Sequence, residues 1–422
     1  MGYIWEMGKK LLVLSDAVSA SSGLARIARD LALRVHQNLG DVFDVASVGY
    51  GGTGSASIPF KEYHLHDVNN WLVPELPAIW NDFVGDEEGI LFCIWDLSRL
   101  YWLGQPQTCP IPHLRKWVET AKMKKWVYGA LDAEGPGGKL PHQIAETMKG
   151  FDRVLDYSAF SSKITGNPGH LPHGLDSKVF YRRRGHHSWV DNPSAPGTDR
   201  QCTTCGAIDC SSAGDCECTP DSPRQRLIKH GFQGLTPDSL LIGIVATNQA
   251  RKNWQLGIET CRILLDRGHD VRLWAHTDVL DRYWSIGNLI VDYGLTGRAA
   301  ITNQRFTDEQ LAQMYSACDV TLCIGPEGWG FPAMESLACG VPCIAGSYAA
   351  QAEFIPKSMH VDPIAYFHEG AFCSKRPVHE ALKWAIRVEM NLGKKASLPS
   401  EFDWNGPTLW KNWGEWFLKG IE

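Results

Sequence analysis

Short apolar runs and amphipathic stretches alternate along this chain, and they do so in two separate series. The first opens with the run LLVL at residues 11–14, followed by the small polar segment SDAVSASSG and then LARIARDLALRVHQNL. In that last stretch Leu24, Ile27, Leu31 and Val35 recur at helical spacing. DVFDVASVGY, ILFCIWD (90–96), KKWVYGALD (124–132) and RVLDYS (153–158) read as further strands, and HLPHGLD (170–176) as a short strand with turns. The second series starts at LLIGIVAT (240–247). It continues through NWQLGIETCRILLDRG as helix, DVRLWAHT as strand, LDRYWSIGNLIVDYG as helix and AAITNQ as strand. TDEQLAQMYSAC (helix), DVTLCIG (strand), FPAMESLACG (helix) and VPCIAGS (strand) complete it. Thr307 suits a helix N-cap, with Asp308 and Glu309 in the first turn, and Gly340 suits a helix C-terminus. Strands alternating with helices predict an α/β fold with parallel sheets covered on both faces. Ligands of such sheets bind beyond the carboxyl ends of the strands, so two sheets face to face would enclose a cleft.

Between the series, residues 181–222 lose all periodicity, which sets the expected organisation at 1–180, an insertion 181–222, and 223–404. The tail WNGPTLWKNWGEWFLKG reads as an amphipathic, Trp-rich helix within 405–422. A length of 422 residues fits about two domains, and 44% hydrophobic with 21% charged residues allows sizeable cores. A net charge of −6 argues against a strongly basic nucleic-acid binder or a polybasic membrane anchor. Lys9 and Lys10 ahead of LLVL mimic the start of a signal peptide, but Ser15 and Asp16 interrupt the run. No apolar stretch is long enough to predict a membrane-spanning helix, and a cytoplasmic location is expected.

The chain carries 13 cysteines. Eight lie scattered in apolar segments, among them Cys93, Cys261, Cys318, Cys323, Cys339 and Cys343, as expected of small core residues in a reducing compartment. The other five crowd into the insertion. Cys202, Cys205, Cys216 and Cys218 are the first choice of ligands for a structural zinc, with Cys210 as alternative ligand and His186 or His187 as further contributors. The competing reading is a loop of free thiols. Arg182, Arg183 and Arg184 nearby form a basic run, which reads as a solvated face or an acceptor contact.

The segment DVTLCIGPEGWGFPAMESLACGVPCIAG concentrates the chemistry. A buried strand ends near Gly325, Glu327 sits in the loop with Gly328 and Gly330 around Trp329, and a helix begins near Phe331 or Pro332. Glycines let backbone amides approach a ligand, and a helix start adds unpaired N–H groups, an environment suited to a diphosphate or sugar hydroxyls. Glu335, one turn into the helix, can face the same pocket as Glu327.

This stretch resembles the E-x7-E signature of retaining glycosyltransferases of family 4, which have the GT-B fold of two Rossmann-like domains facing a central cleft; the two acids here are Glu327 and Glu335. IVATNQARKNWQLGIE resembles the segment carrying a basic pair, Arg251 and Lys252. LPHGLDSKVF resembles the family's Pro-x-Gly-x-Asp segment, with Gly174, Asp176 and Phe180 in matching places, and FTDEQLAQMYSACDVTL resembles the helix and strand before the signature. The resemblance, to group 1 glycosyltransferases of phage and bacterial type, covers roughly 10–180 and 223–360. It implies an enzyme of the hexosyltransferase kind (EC 2.4), moving a sugar from a nucleotide-diphosphate sugar, UDP- or GDP-linked, to a hydroxyl. It also implies that Glu335 binds ribose hydroxyls. Glu327 and the amides near Gly328, Trp329, Gly330 and Phe331 would hold the donor sugar, and Gly23 would lie near the diphosphate, with Ser21 and Ser22 beside it. Arg251 and Lys252 would neutralise the diphosphate, since fixed cations stabilise a departing phosphate. The first domain would bind the acceptor, the second the donor, and the terminal helix would pack back on the first. No catalytic metal is implied, and no Asp-x-Asp motif is present.

The chain departs from the family at the usual first-domain histidine: the candidate segment reads YGALDAEGPGGKLP, with Asp132 and Glu134 in its place. Asp132 would hydrogen-bond a donor hydroxyl or take the acceptor's proton; His173 is a further candidate, against the plainer reading of a structural histidine. The acceptor stays open among a glycan or lipid-linked precursor, a protein, a small metabolite and, in a phage setting, a hydroxylated DNA base. Two rival functions stand beside this one: an epimerase or sugar phosphorylase on the same fold, and a non-catalytic protein binding nucleic acid or a partner through the cysteine loop. Oligomeric state does not follow from the residues.

Overall fold

The computed structural model describes residues 8–52, 57–66, 71–183, 189–191, 200–202 and 222–422. The first series forms β1 (Lys9–Asp16), β2 (Phe43–Tyr50), β3 (Lys61–Leu65), β4 (Gly89–Cys93), β5 (Met123–Gly129) and β6 (Arg153–Asp156). They make one parallel sheet in the order β3-β2-β1-β4-β5-β6. β7 (Trp189–Asp191) and β8 (Arg200–Cys202) pair antiparallel as a separate ribbon. The second series forms β9 (Leu240–Val245), β10 (Val271–His276), β11 (Ala299–Thr302), β12 (Val320–Cys323), β13 (Cys343–Gly346) and β14 (His360–Val361). Its order, β11-β10-β9-β12-β13-β14, repeats that of the first sheet and is again parallel throughout. In both, the first strand is central and the chain switches direction beside it, which is the doubly wound Rossmann arrangement.

The apolar run in β1 does not alternate because both of its faces are covered. Leu11 and Val13 join the core that α1 (Gly23–Leu39) caps with Ile27, Leu31 and Val35, while Leu12 and Leu14 join the core on the opposite face. α1 starts where Ser22 accepts a hydrogen bond from the Ala25 amide at 3.1 Å. In the second sheet, α2 (Trp254–Asp266) follows β9 after a short loop. α3 (Asp308–Ala317) is capped by Thr307 with Gln310 closing a capping box, and α4 (Phe331–Ala338) ends before Gly340, whose φ of +81° is the left-handed stop.

Two expectations need correction. Residues 170–176 form no strand; they make isolated bridges, Asp156 to His170 and Leu175 to Asp403. This is where the chain leaves the first sheet, and the returning segment crosses it: the Leu175 amide donates to Phe402 O (2.8 Å) and the Trp404 amide to Leu175 O (3.1 Å). The stretch 280–294 is helical only over Ile286–Asp292, because its first half is held as a turn by Asn248, whose side-chain amide donates to the carbonyls of Val279, Leu280 and Trp284. α5 (Leu409–Lys419) then lies against the first sheet. The Trp416 ring sits 5.3 Å from Trp126 and Phe417 5.5 Å from Phe92, centroid to centroid, and Trp413 Nε1 donates to Pro172 O at 2.9 Å.

The cysteine cluster is not tested by this fold. Cys205, Cys210, Cys216 and Cys218 lie outside the described residues, as do His186, His187 and Arg184, and of Cys202 only the backbone in β8 is described. Among the described residues no cluster of three or more His, Cys, Asp or Glu is placed to hold a metal ion, and no helix is long and apolar enough to cross a membrane.

Candidate active site

The carboxyl ends of both sheets open on one cleft of about 860 Å³. Its second-domain wall is built by two loops. The loop after β9 carries Arg251 and Lys252 and ends at Asn253, whose side chain caps α2. The loop after β12 carries Glu327 and leads into α4. The loops touch so closely that a Cβ on Gly325 would lie 2.5 Å from the Arg251 carbonyl oxygen. Gly330 turns the chain into α4 with a φ of +110°, a left-handed conformation a side chain would strain. The Glu327 amide donates to Gln351 Oε1 (2.9 Å), and the Ala350 amide donates to Glu327 O (3.1 Å), fixing the loop from behind.

Within this wall the charges pair. Lys252 Nζ contacts Glu327 Oε1, and Arg251 Nη1 reaches both Glu327 Oε2 (3.3 Å) and the Pro326 carbonyl (2.7 Å). Both partners are well buried, at 8% exposure for the Lys252 side chain and 12% for Glu327. Burial and the neighbouring Arg251 push the Lys252 ammonium down, and Glu327 offsets part of that. For Arg251 burial acts downward, but Glu327 and Asp132 outweigh it and the guanidinium stays firmly charged.

The first-domain wall meets these groups across the cleft. Asp132, in the loop after β5, forms an ion pair with Arg251, Oδ2 to Nε at 2.9 Å. Burial alone would push its carboxyl up; Arg251 and Arg376 reverse that and hold it below its ordinary value. A carboxylate so held is a good hydrogen-bond acceptor and anchor for cations, and a poor proton acceptor near neutral pH. Glu134 lies two residues on and binds Lys375 instead of facing the cleft. The N-termini of α1 and α4 converge, where a Cβ on Gly23 would meet Phe331 Cδ2 at 3.6 Å, and the loop before α4 meets the loop after β5, where a Cβ on Gly328 would lie 2.7 Å from Ala130 Cβ. Two helix starts aimed at one space supply N–H groups and positive partial charge to an anion. Ser21 and Ser22 line the cleft, with Ser22 Oγ donating to Asp16.

Glu335 is 3% exposed, and Arg26 of α1 reaches it from the opposite domain. Arg26 Nη2 also pairs with Asp308 at 2.5 Å, and its guanidinium lies 5.1 Å from the Phe331 ring centre. The Trp329 ring is taken up in packing against His173 (4.9 Å), Phe354 (5.4 Å) and Phe402 (5.5 Å). His173 itself is fully buried. Tyr128 Oη donates to Leu171 O (2.6 Å), so His173 Nδ1–H donates to Tyr128 Oη (3.1 Å), leaving Nε2 a bare acceptor without a partner. Burial and Arg26 push its pKa well down, so the ring is neutral.

The structure thus brings Glu327, Arg251, Lys252 and Asp132 into one contact network, with Gly23, Gly328, Trp329, Gly330, Phe331 and Glu335 around the same cleft. Sequence reasoning did not single out Arg26 or Arg376. Arg26 has only its place three residues after Gly23 to mark it, and Arg376 lies in a hairpin the alternating pattern does not reveal.

Residues 228–391 match the family model of glycosyl transferases group 1. That span holds both charged loops and all of the second sheet. Sucrose-phosphate synthase from Thermosynechococcus elongatus superposes with a TM-score of 0.62 at 13% identity, covering 98% of this chain and 99% of that one. HepE of Anabaena, solved with UDP and glucose, gives 0.58 at 13% identity over 90% and 89%. A glycosyltransferase from Rickettsia africae gives 0.55 at 12% identity over 90% and 87%. The chain has the GT-B fold. No curated protein matches it in sequence.

Proposed function

We propose that this chain is a retaining glycosyltransferase of family 4 that moves a sugar from a nucleotide-diphosphate sugar, UDP-linked in the first instance, to a hydroxyl acceptor. The observation that carries the reading is the convergence of Arg251, Lys252 and Glu327 with two helix N-termini on one cleft that Glu335 also lines. Breaking a glycosyl–phosphate bond puts charge on the departing diphosphate, and cations and amides fixed beforehand stabilise that charge without reorganising. Arg251 and Lys252 would take the diphosphate, with Gly23 lining the same cleft. Glu327 and the backbone of Gly328–Phe331 would hold the sugar, and Glu335 the ribose hydroxyls. Asp132, held ionised by two arginines, serves as a hydrogen-bond acceptor for the donor sugar in preference to a base for the acceptor. The UDP and glucose found with HepE support UDP as the first nucleotide to try. In this reading the domain ending near residue 180 receives the acceptor.

Calorimetric titration with UDP and GDP checks the assignment. One nucleotide should bind, and Glu335→Ala should weaken it about tenfold or more, since a buried charged hydrogen-bond partner contributes roughly 1.5–3 kcal/mol. Equal binding by wild type and Glu335→Ala, or no binding of either nucleotide, would contradict it.

A further inference from the structure

A hairpin beyond the second sheet reaches the first-domain wall. β15 (Ala365–Glu369) pairs antiparallel with β16 (Ser374–Val378), with Phe367 opposite Arg376. Opposed residues and their second neighbours share a face, and Arg376 Nε indeed pairs with Glu369 Oε2 at 3.0 Å. The hairpin is tied to the far wall where the Lys375 amide donates to Glu134 O (2.8 Å) and the Lys375 ammonium meets the Glu134 carboxylate. So anchored, Arg376 Nη1 reaches Asp132 Oδ1 at 3.3 Å, while Arg251 Nε takes Asp132 Oδ2 at 2.9 Å. One carboxylate is shared by two arginines, one oxygen each.

Arg251 is one of the two cations that the proposed function assigns to the diphosphate, and it is bound to Asp132 and Glu327. A diphosphate must compete with both carboxylates for it. Asp132 left alone would be a partly buried, unpaired charge, which is costly. The second cation is already in place. We propose that Arg376 is a positioning residue: it keeps Asp132 neutralised when Arg251 turns to the donor, and so raises nucleotide-diphosphate affinity through Asp132 without touching the nucleotide. This inference rests on the donor reading of Arg251.

A double-mutant cycle read by UDP calorimetry tests it. Arg376→Gln should weaken UDP binding by up to about fivefold, the range of a partly exposed ion pair. Asp132→Asn should bind UDP at least as tightly as wild type, because a competitor for Arg251 is gone. Adding Arg376→Gln to Asp132→Asn should change nothing further, and Arg376→Lys should restore most of the affinity while thermal melting confirms that each variant is folded. An equal loss in both backgrounds would mean direct contact or a general structural role, and no loss in wild type would mean no role; either overturns the inference. Arg251→Gln separates the two levels. If it weakens UDP binding while the cycle fails, only the role of Arg376 falls; if it leaves UDP binding unchanged, the donor reading falls first.

Discussion

The two sheets share one strand order and yet line the cleft in different ways. The second sheet supplies basic and acidic side chains at the ends of its first and fourth strands: Arg251 and Lys252 after β9, Glu327 after β12. The corresponding loops of the first sheet supply close approach and counter-charge, with Gly23 at the start of α1 and Asp96 and Arg99 after β4 (3.2 Å apart), and the loop after β5, its fifth strand, adds Asp132. Topology decides where a site forms, since both crevices lie beyond the carboxyl ends of the strands. The loops decide what each wall does. Under the proposed function the second wall carries the chemistry, and the first wall holds and orders it.

The largest test of this division concerns the first domain's dependence on the far end of the chain. Phe417 is fully buried against Phe43 and Phe92. Phe417→Ala should cost about 3–5 kcal/mol, seen in denaturant melts, with the loss confined to the first-domain transition where two transitions resolve. Next is Lys252→Ala, which should depress turnover about 10²–10³-fold, as removing a preorganised charge-stabilising donor does, while the stability lost by removing one partner of the buried Glu327 pair is read separately in the melt. A loss of the same size from Arg26→Ala would break the comparison, because that wall would then carry chemistry too. Smaller again is Gly328→Val. Its branched side chain would begin 2.7 Å from Ala130 Cβ and wedge the walls apart. Turnover should fall about tenfold, the effect of a slight misplacement of aligned groups, with little change in UDP affinity.

A separate effect is on stability against pH. Burial pushes His379 down to about 4 from its ordinary 6.5. Between those values the unfolded chain binds a proton that the folded chain refuses, so stability rises with pH across that window and is lost as pH falls from about 6.5 toward 4. Melting temperature followed over that range should decline, and His379→Gln should flatten the decline in part.

Much of this molecule was legible in the residues. The buried strands of both sheets are short apolar runs bounded by polar turns, and a run covered on both faces, such as LLVL, survives any error of register. The charged loops were legible because the spacing of Glu327 and Glu335 ties a loop to one helical turn. Two kinds of feature stayed hidden. β15 is largely exposed and β16 only half-buried, so their residues, AYFHE and SKRPV, carry no buried-strand signature. Contacts between the domains, such as Arg26 on Glu335, join positions hundreds of residues apart and leave no local pattern. The segment 170–176 misled for a related reason: HLPHGLD leaves the first sheet and makes only isolated bridges, from His170 to Asp156 and from Leu175 to the returning chain at Asp403.

A crystal structure of the protein with UDP tests the central claim most directly. The ribose hydroxyls should lie on Glu335 and the diphosphate between Arg251, Lys252 and the start of α1, with Arg26 displaced from Glu335. A nucleotide bound elsewhere, with Arg26 still seated on Glu335 and Arg251 still on Asp132, would contradict it.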